Sequence, residues 1–455
     1  MAQPTNDAQR TKLLQAPIPP LVTRLSIPTI AGMLVTSIYN MADTFFVSQI
    51  STSASGAVGI VFAIMSLIQA VGFTVGVGAS SIASRLLGQG DQEEANRYAS
   101  SAVLAALAAG LLLTILGLSS LPRLMWWLGS TQTIYPYARQ YAFFILLSAP
   151  VMTLSFTLNN LLRWQGLAKL AVVGLTIGGG INILLDPILI FGFKLGIVGA
   201  GAATLISMLI SMTILLSFFL LHKSTIRLGL RYISRTPRLY LHIFKQGLPS
   251  FFRQSVMGFS TMSLNFNARI YGDAAVAALA IVQKVFMVIH SITIGFGQGF
   301  QPVIGYNYGA GKPERVKEAV MFSEKVITLV LTIAAAAGFL FAPQIVSLFR
   351  DDPDVINIGV RAFRFQCFTL PLSATLTFSN MLFQALGKVG RATVLAVCRQ
   401  GLYIPMVFFL SRQFGLTGLE ASQTGADLLA FLLSASLLFH YFKYEFGTDG
   451  PKQPK

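Results

Sequence analysis

The sequence is short of charge. Only 11% of its 455 residues are Asp, Glu, Lys or Arg, whereas a soluble domain has about 25%. Acids are especially scarce, with 17 Asp and Glu against 33 Lys and Arg. Hydrophobic residues make up 54% of the chain, and the mean hydropathy is +0.67. A water-soluble fold of this size could not bury so much apolar surface, so the chain is expected to lie in a lipid bilayer.

Cysteine and histidine are also rare. Cys367 and Cys398 both lie in apolar stretches, which favours buried thiols over a disulfide or a metal site. The four histidines are far apart in sequence, and Gly88-Gln89-Gly90 lacks the Lys-Ser/Thr that completes a phosphate-binding loop. Residues 1–20 contain no apolar core of a cleaved signal peptide. These absences argue against an enzyme and against a metal or organic cofactor.

The positive charge is spread along the chain. The net charge is +16, but the basic residues stand between apolar runs and form no polar domain, so no nucleic-acid partner is expected. Most of them fall in segments that share a side with the N-terminus, which predicts cytoplasmic termini. The stretch 222–245 has six Lys or Arg and no acid. We expect a solvated linker resting on anionic headgroups, with a specific lipid or regulatory site as the alternative.

Twelve apolar segments are long enough to cross a bilayer, which needs about 20 residues each. The links between them are short and leave no room for a catalytic domain outside the membrane. The segments lie near residues 22–48, 55–84, 97–121, 135–162, 168–191, 197–221, 240–270, 274–304, 316–342, 355–385, 389–411 and 416–442.

The second half of the chain repeats the first. Each match is weak alone, but five in the same order at offsets of 219 to 221 residues indicate an internal duplication. The matched pairs are Pro28 and Pro249, 87–91 and 308–312, Pro150 and Pro371, Asn160 and Asn380, and 166–169 and 385–388.

The duplication predicts an all-α integral membrane protein with twelve transmembrane helices in two pseudo-symmetric lobes of six. The N-lobe would span residues 1–221, a basic cytoplasmic linker 222–240, and the C-lobe 241–455. Six spans per repeat insert both halves the same way up, and a substrate is expected near the midplane between them.

Asp43, Asp186 and Asp427 lie inside apolar segments, where charge is costly and usually functional. Tyr39 lies one helical turn before Asp43, and Asn182 one turn before Asp186. Two nearby buried carboxylates can share a proton or exchange it for Na⁺ held by oxygen ligands. Asn159 or Asn160, with Thr204, would add neutral oxygens at similar depth. The alternative is that each acid is a protonated group that only packs helices together.

The second half lacks this acid pair, because Leu264 occupies the position that matches Asp43. It instead carries Arg253, Lys284 and Arg399 inside its predicted spans, where Asp427 is available as a partner. Structural pairing is favoured over substrate contact, since unpaired charge at this depth is expensive.

At these residues the chain resembles the MATE family of multidrug and toxic compound extrusion transporters, whose fold is a V of two six-helix lobes. Among its branches it is most similar to the DinF-like one, which includes MepA-like pumps. That branch has acids where Asp43 and Asp186 stand and an asparagine at Asn182. The segments that carry the resemblance are 42–47, 87–91, 182–187, 199–202 and 298–311.

The resemblance implies a cation-coupling site in the N-lobe, which Asn159, Thr204 and Tyr141 would complete, and a bend of the first helix at Pro28. The NorM-like branch relies on an acid in helix seven, but here that helix reads Phe252-Arg253-Gln254-Ser255. A sodium site of that branch in the C-lobe is therefore not expected.

The function implied is a secondary active antiporter. It would export amphipathic organic cations or toxic compounds, and so confer antibiotic resistance, in exchange for H⁺ or Na⁺. It would work as a monomer in the inner membrane of a prokaryote. The alternative is a flippase for a lipid-linked saccharide or a phospholipid, whose phosphate would meet Arg253, Lys284 and Arg399. A membrane-embedded transferase is less favoured, because no polar catalytic cluster is visible.

Overall fold

A computed structural model describes residues 6–446, apart from the side chains of Asn6, Asp7 and Asn40. Within that range the chain is helical and contains no strand. The helices of the first half are α1 (Asn6–Gln15), α2 (Ile18–Ser48), α3 (Thr52–Gln89), α4 (Gln92–Ser119), α5 (Leu121–Trp127), α6 (Tyr135–Trp164), α7 (Ala168–Pro187) and α8 (Ile197–Leu220). Those of the second half are α9 (Pro237–Ala268), α10 (Asp273–Gly309), α11 (Pro313–Leu340), α12 (Ala342–Ser347), α13 (Pro353–Thr369), α14 (Ser373–Leu386) and α15 (Val389–His440).

The helices agree with twelve membrane crossings. Nine helices in the described range are long and apolar enough to span a bilayer by length and composition. One of them, α15, turns at Gly415 (φ 61°, ψ −140°) and so supplies two crossings. The other two are α9, which carries several basic residues, and the pair α13 and α14, which a short 3₁₀ turn at Pro371 separates. The predicted all-α fold with two repeated lobes is confirmed.

Side chains and glycines fix the helix ends. The Asp91 carboxylate accepts a hydrogen bond from the Glu94 amide at 3.0 Å and caps α4, and the Ser51 hydroxyl caps α3 in the same way at 3.1 Å. Gly90 ends α3 in the left-handed conformation, which only glycine adopts without strain. These local signals keep the links between spans short.

The two halves repeat with a constant offset of 221 residues. Asn159 donates a side-chain hydrogen bond to the Ala171 carbonyl at 2.8 Å, and Asn380 donates one to the Ala392 carbonyl at 2.6 Å. Both bonds tie a helix to the start of the next, twelve residues on. The structural partner of Asn380 is therefore Asn159, and the sequence-based pairing with Asn160 was wrong by one residue.

The turn glycines follow the same register. Gly90 pairs with Gly311, and Gly166 with Gly387, and all four have positive φ. The match of 166–169 with 385–388 was therefore wrong by two residues. Matching residue types gave a register for these segments that differs from the structural one. A left-handed turn restricts only one position to glycine, and its neighbours are free to vary between the two halves.

The lobes meet through close helix contacts at glycines. A Cβ on Gly88 would lie 2.3 Å from the Tyr306 carbonyl oxygen, and one on Gly309 would lie 2.1 Å from the Arg85 carbonyl oxygen. These two contacts are related by the 221-residue offset, so the lobe contact itself is pseudo-symmetric. Gly247 approaches even more closely, because its Cβ would lie 1.9 Å from the Thr74 carbonyl oxygen. Backbones this close require glycine.

Hydroxyl groups of α2 add to the contact with α10. Thr29 donates a hydrogen bond to the Gly295 carbonyl at 2.6 Å, and Ser26 donates one to the Phe296 carbonyl at 3.0 Å. Further along α2, the hydroxyls of Ser37 and Ser291 are 3.0 Å apart. Pro28 lies inside this contact region, within a helix that continues on both sides of it.

The short helix α1 fastens both lobes at one face of the molecule. Arg10 donates to the Gly88 carbonyl at 3.0 Å in the N-lobe, while Asn307 donates to the Leu13 carbonyl at 3.1 Å and Arg315 to the Ala16 carbonyl at 2.6 Å in the C-lobe. We call this side, with α1 and the turns at residues 90 and 311, the termini face. The lobes are joined there.

The backbone of the basic linker is packed on the N-lobe, a contact that the sequence did not predict. Its backbone amides at Arg227, Gly229 and Ser234 donate to the side chains of Asn96 at 2.8 Å, Ser100 at 3.2 Å and Ser101 at 2.9 Å, all on α4. Polar side chains on one face of α4 hold the backbone, while the basic side chains of the linker remain exposed. The linker also ends earlier than predicted, because α9 begins at Pro237.

The Gly247 contact yields a first prediction. Gly247→Ala would drive a methyl group into the Thr74 carbonyl, and overpacking of this kind costs on the order of 1–3 kcal/mol. We expect the termini face to open, which would lengthen the distance between spin labels on the exposed residues Leu221 and Glu314. The matched control is Gly258→Ala on the same helix, where a Cβ meets nothing within 4 Å. Equal distances in both variants would contradict the prediction.

Candidate functional site

The structure brings the first two buried acids together. The carboxyl groups of Asp43 on α2 and Asp186 on α7 lie next to each other. Asp186 is fully enclosed, with 0% of its surface exposed, whereas Asp43 is half-buried. Among the described side chains, none hydrogen-bonds to either oxygen of Asp186 or to Oδ1 of Asp43. Two carboxyl groups that touch without such a donor are stable only if a proton or a cation lies between them.

Side chains from four helices surround this pair. Tyr141 on α6 is fully buried and lies within electrostatic range of both acids and of Tyr39. Its hydroxyl lies near Thr204 on α8 but makes no hydrogen bond of ordinary geometry. The Thr204 hydroxyl donates to the Ala200 carbonyl at 3.1 Å, so its lone pairs remain free to accept.

Tyr39 and Asn182 come from the same helices as the acids. The Tyr39 ring packs against Gly179, where a Cβ would lie 3.2 Å from the ring. Glycine at this position therefore lets α2 and α7 approach closely enough for their acids to meet. Asn182 is buried one turn before Asp186, as its spacing predicted.

The site lies toward the face opposite the termini. Asp43 is five residues from the end of α2, and Tyr141 is six residues from the start of α6, which places both roughly 8 Å from those ends. The acid pair is therefore far from the termini face, where α1 joins the lobes.

Asn159 does not belong to this site. It lies eighteen residues after Tyr141 on α6, or roughly 27 Å along the helix. Its amide is hydrogen-bonded to Ala171, fifteen residues before Asp186. The resemblance placed Asn159 beside the acids, whereas the structure gives it the same helix-tying role as Asn380 in the other lobe.

This placement yields a second prediction. Asn159→Ala is expected to lower the free energy of unfolding by about 1–2 kcal/mol through loss of one buried hydrogen bond, without changing the ion dependence of transport. Asn380→Ala should behave alike, because its bond is equivalent. Thermal unfolding in detergent and transport at graded ion concentrations measure the two effects. If Asn159→Ala changed the ion dependence of transport and Asn380→Ala did not, Asn159 would have to be part of the ion site.

The charged residues of the C-lobe separate into paired and unpaired groups. Arg399 forms an ion pair with Asp427 at 2.8 Å, which is the structural pairing that the sequence favoured. His290 joins them, 2.8 Å from the Arg399 guanidinium, and accepts through Nε2 because arginine can only donate. Lys284 is exposed. Arg253 lies near Arg163 and makes no ion pair or hydrogen bond to the described side chains.

A polar chain that the sequence did not reveal runs between the lobes. Arg163 lies just beyond the predicted span 135–162, but only 4% of this residue is exposed. Its guanidinium donates to Gln301 at 3.1 Å, Gln301 donates to Gln384 at 3.1 Å, and Gln384 donates to Ser250 at 2.9 Å. Arg163 and Gln384 are equivalent at the 221-residue offset, so a correct register would have singled out this pair of polar residues.

Comparison with known proteins gives consistent matches over most of the chain. A protein-family model described as MatE matches residues 28–188 and again residues 249–409. The Multidrug export protein MepA of Staphylococcus aureus strain MSSA476 is 28% identical over 437 residues, which cover 95% of this chain and 96% of that protein.

Two solved structures share the fold. One is described as the outward-facing conformation of a multidrug resistance MATE family transporter, with a TM-score of 0.88, 26% identity and coverage of 95% of this chain and 98% of that one. The other, a MOP superfamily transporter from Pyrococcus furiosus, has a TM-score of 0.87, 26% identity and the same coverage. That transporter is described as having a binding pocket of reverse polarity, which suggests a different function for it.

Proposed function

Because this chain belongs to the MatE family of membrane transporters and is not an enzyme, we propose that it exports drug-like compounds in exchange for an ion bound by Asp43 and Asp186. Export of several drugs is what the name of the relative from S. aureus describes. Amphipathic organic cations are the substrates we propose, and H⁺ or Na⁺ the coupling ion. The protein would act as a monomer in the prokaryotic inner membrane with both termini in the cytoplasm.

The acid pair is the observation that carries this proposal. Its two carboxyl groups touch, and none of the described side chains donates a hydrogen bond to three of their four oxygens. A proton satisfies the contact by bridging the two groups, and Na⁺ satisfies it by binding both. The site therefore binds an ion more tightly when the two carboxyl groups are together than when they are apart. A coupling site requires such a difference in ion affinity between two arrangements.

The helix α2 connects the acid pair to the contact between the lobes. It carries Asp43 near one end, and Ser26 and Thr29, which hydrogen-bond to α10, near the other. Pro28 lies within that contact region, where it removes one backbone hydrogen bond of the helix and lowers the cost of bending. We propose that ion binding at Asp43 bends α2 at Pro28 and so favours one lobe arrangement over the other. An ion that bound both arrangements equally would shift nothing.

The arrangement described here suits release of substrate and uptake of the ion. The lobes are joined at the termini face, and the half-buried Asp43 lies toward the opposite side. With the termini inside the cell, the ion would reach the acids from outside, and the substrate would be released to the outside.

Transport by the purified protein in liposomes tests this function. Ethidium loaded inside the vesicles would be released when a proton gradient or a sodium gradient is imposed separately, and the effective gradient identifies the ion. Asp43→Asn vesicles should release none beyond leakage. Equal release in vesicles with and without the protein under both gradients would reject the proposal.

A flippase remains the second candidate, favoured by the unpaired Arg253. The structure weakens it in one respect, since Arg399 is neutralised by Asp427 and does not supply a free cation for phosphate. A drug-susceptibility assay in a pump-deficient strain separates the two, because only the exporter would raise resistance to organic cations.

A further inference from the structure

The linker between α8 and α9 carries a charged surface that the proposed export function does not use. All of its Lys and Arg side chains are exposed, and none of them pairs with an acid among residues 6–446. Residues 222–245 themselves contain no acid. We call these side chains the basic surface: Lys223, Arg227, Arg231, Arg235, Arg238 and Lys245. Their positive charge is available to an anionic partner.

The backbone beneath the basic surface is held in place. At its start, the Ser224 hydroxyl donates to the side chain of Gln165 at 2.9 Å, and the Gln165 carbonyl accepts from Gln9 of α1 at 3.2 Å. This contact with α1 places the linker on the termini face. Further along, side chains of α4 accept hydrogen bonds from the linker amides. Because the backbone is already ordered, a ligand that binds there loses less free energy to ordering than it would on a flexible linker.

The linker lies beside α4 and not beyond the end of that helix. Its partners on α4 come four to nine residues after Gln92, the first residue of the helix, which is roughly 6–14 Å along its axis. With 28 residues, α4 is roughly 42 Å long and exceeds the hydrocarbon core, about 30 Å thick, by roughly 6 Å at each end. The linker therefore lies at the depth where phospholipid headgroups meet the acyl chains.

Exposed leucines accompany the basic side chains. Leu230, directly before Arg231, is 87% exposed, and Leu221 at the start of the linker is 57% exposed. At the depth of the headgroups, leucine can contact acyl chains while a neighbouring arginine reaches the phosphates. This combination of apolar and basic side chains is typical of segments that bind a membrane surface.

We propose that the basic surface and Leu230 form a docking site for anionic phospholipids. The phosphate oxygens of the headgroup accept hydrogen bonds from the guanidinium groups, and Leu230 contacts the acyl chains. Charge complementarity selects this occupant, because zwitterionic lipids carry no net charge to balance that of the basic surface. The inference goes beyond the proposed export function and depends on neither the coupling ion nor the substrate.

Thermal unfolding in detergent with added short-chain lipid tests the site. A ligand that binds the folded protein alone raises its melting temperature. Each basic residue near an anionic lipid strengthens the attraction by about fivefold, so dioctanoyl phosphatidylglycerol should stabilise the protein at a concentration at least about tenfold lower than dioctanoyl phosphatidylcholine. High salt should reduce this difference by screening the exposed charges. Equal potency of the two lipids would overturn the proposal.

A triple variant locates the effect on the linker. Replacing Arg231, Arg235 and Arg238 with Gln should raise the phosphatidylglycerol concentration for half-maximal stabilisation by about tenfold or more. The corresponding concentration of phosphatidylcholine should stay within about twofold, because its headgroup is neutral overall. A triple variant with the wild-type preference for phosphatidylglycerol would reject the docking site.

The matched control removes the same charge from the opposite face. Arg123, Arg139 and Arg350 are exposed and lie at helix ends far from the termini face. Their replacement with Gln should leave the response to both lipids unchanged. If the two triple variants lost the response to phosphatidylglycerol equally, the net charge of the protein would explain the effect and the linker would have no special role.

Glycerol 3-phosphate tests whether a dissolved phosphate is the occupant instead. It carries the phosphate group of the lipid without acyl chains, so it should not stabilise the protein at the concentration where phosphatidylglycerol is half-saturating. Leu230→Ser should likewise weaken phosphatidylglycerol binding, since it removes the side chain that contacts the acyl chains. Stabilisation by glycerol 3-phosphate at that concentration would show that the basic surface binds soluble phosphates, and lipid docking would be rejected.

Discussion

Replacing Asp43 or Asp186 with Asn is expected to abolish gradient-driven export while leaving the protein folded. An amide neither takes up nor releases a proton at physiological pH, and it offers a cation only one neutral oxygen. We expect ethidium release to fall by roughly a hundredfold, which corresponds to a coupling free energy of about 3 kcal/mol. Each variant should melt at or above the wild-type temperature, because one buried ionisable group has been removed.

The control for these variants is Asp351→Asn. Asp351 is exposed between α12 and α13, so its replacement makes the same chemical change away from the site. Its release rate should equal that of the wild type. Wild-type release by Asp43→Asn would remove the acid pair from the mechanism, and a collapse of stability in both site variants would identify the acids as packing groups instead.

Breaking the ion pair between Arg399 and Asp427 is expected to cause the largest loss of stability. Their side chains are 19% and 6% exposed, so either single substitution leaves a buried charge unpaired. Arg399→Leu and Asp427→Leu should each lower the free energy of unfolding by about 3–5 kcal/mol. Thermal unfolding of the purified variants in detergent measures this loss.

The double variant Arg399→Leu and Asp427→Leu separates pairing from other roles. Removing both charges avoids an unpaired one, so much of the stability should return even though His290 and Gln423 each lose a hydrogen-bond partner. A double variant as unstable as the sum of the single ones would show that the two residues act independently.

Residues that act through chain spacing were predictable. Asp43 and Asp186 were identified because charge is rare in apolar segments, and Tyr39 and Asn182 because one helical turn places them beside those acids. Pairing of Asp427 was also foreseeable, since buried charge requires a partner. The choice of Arg399 over Arg253 and Lys284 was not, because it depends on how α15 folds back at Gly415.

Residues that act between helices were harder to place. Asn159 was assigned to the acid site by resemblance, yet its position on α6 puts it near Ala171 instead. Arg163 lies outside the predicted span because the apolar run ends at residue 162, although α6 continues to Trp164 and buries it. An apolar run shows where a helix is surrounded by lipid. Where a helix packs against the other lobe, its polar residues can also be buried.

The amino-acid sequence by itself determined that this protein is embedded in a bilayer, crosses it as helices and consists of two copies of one unit. These conclusions follow from the length of its apolar segments and from the order of residues that the second half repeats. Only the tertiary structure decided which charges are neutralised, how the linker is held and where the lobes touch. The linker and the lobe contacts depend on distances between residues some 130 to 300 positions apart, such as Arg97 and Ser234 or Arg85 and Ala385. The ion pair of Arg399 with Asp427 depends on the turn at Gly415, and no local pattern records either kind of contact.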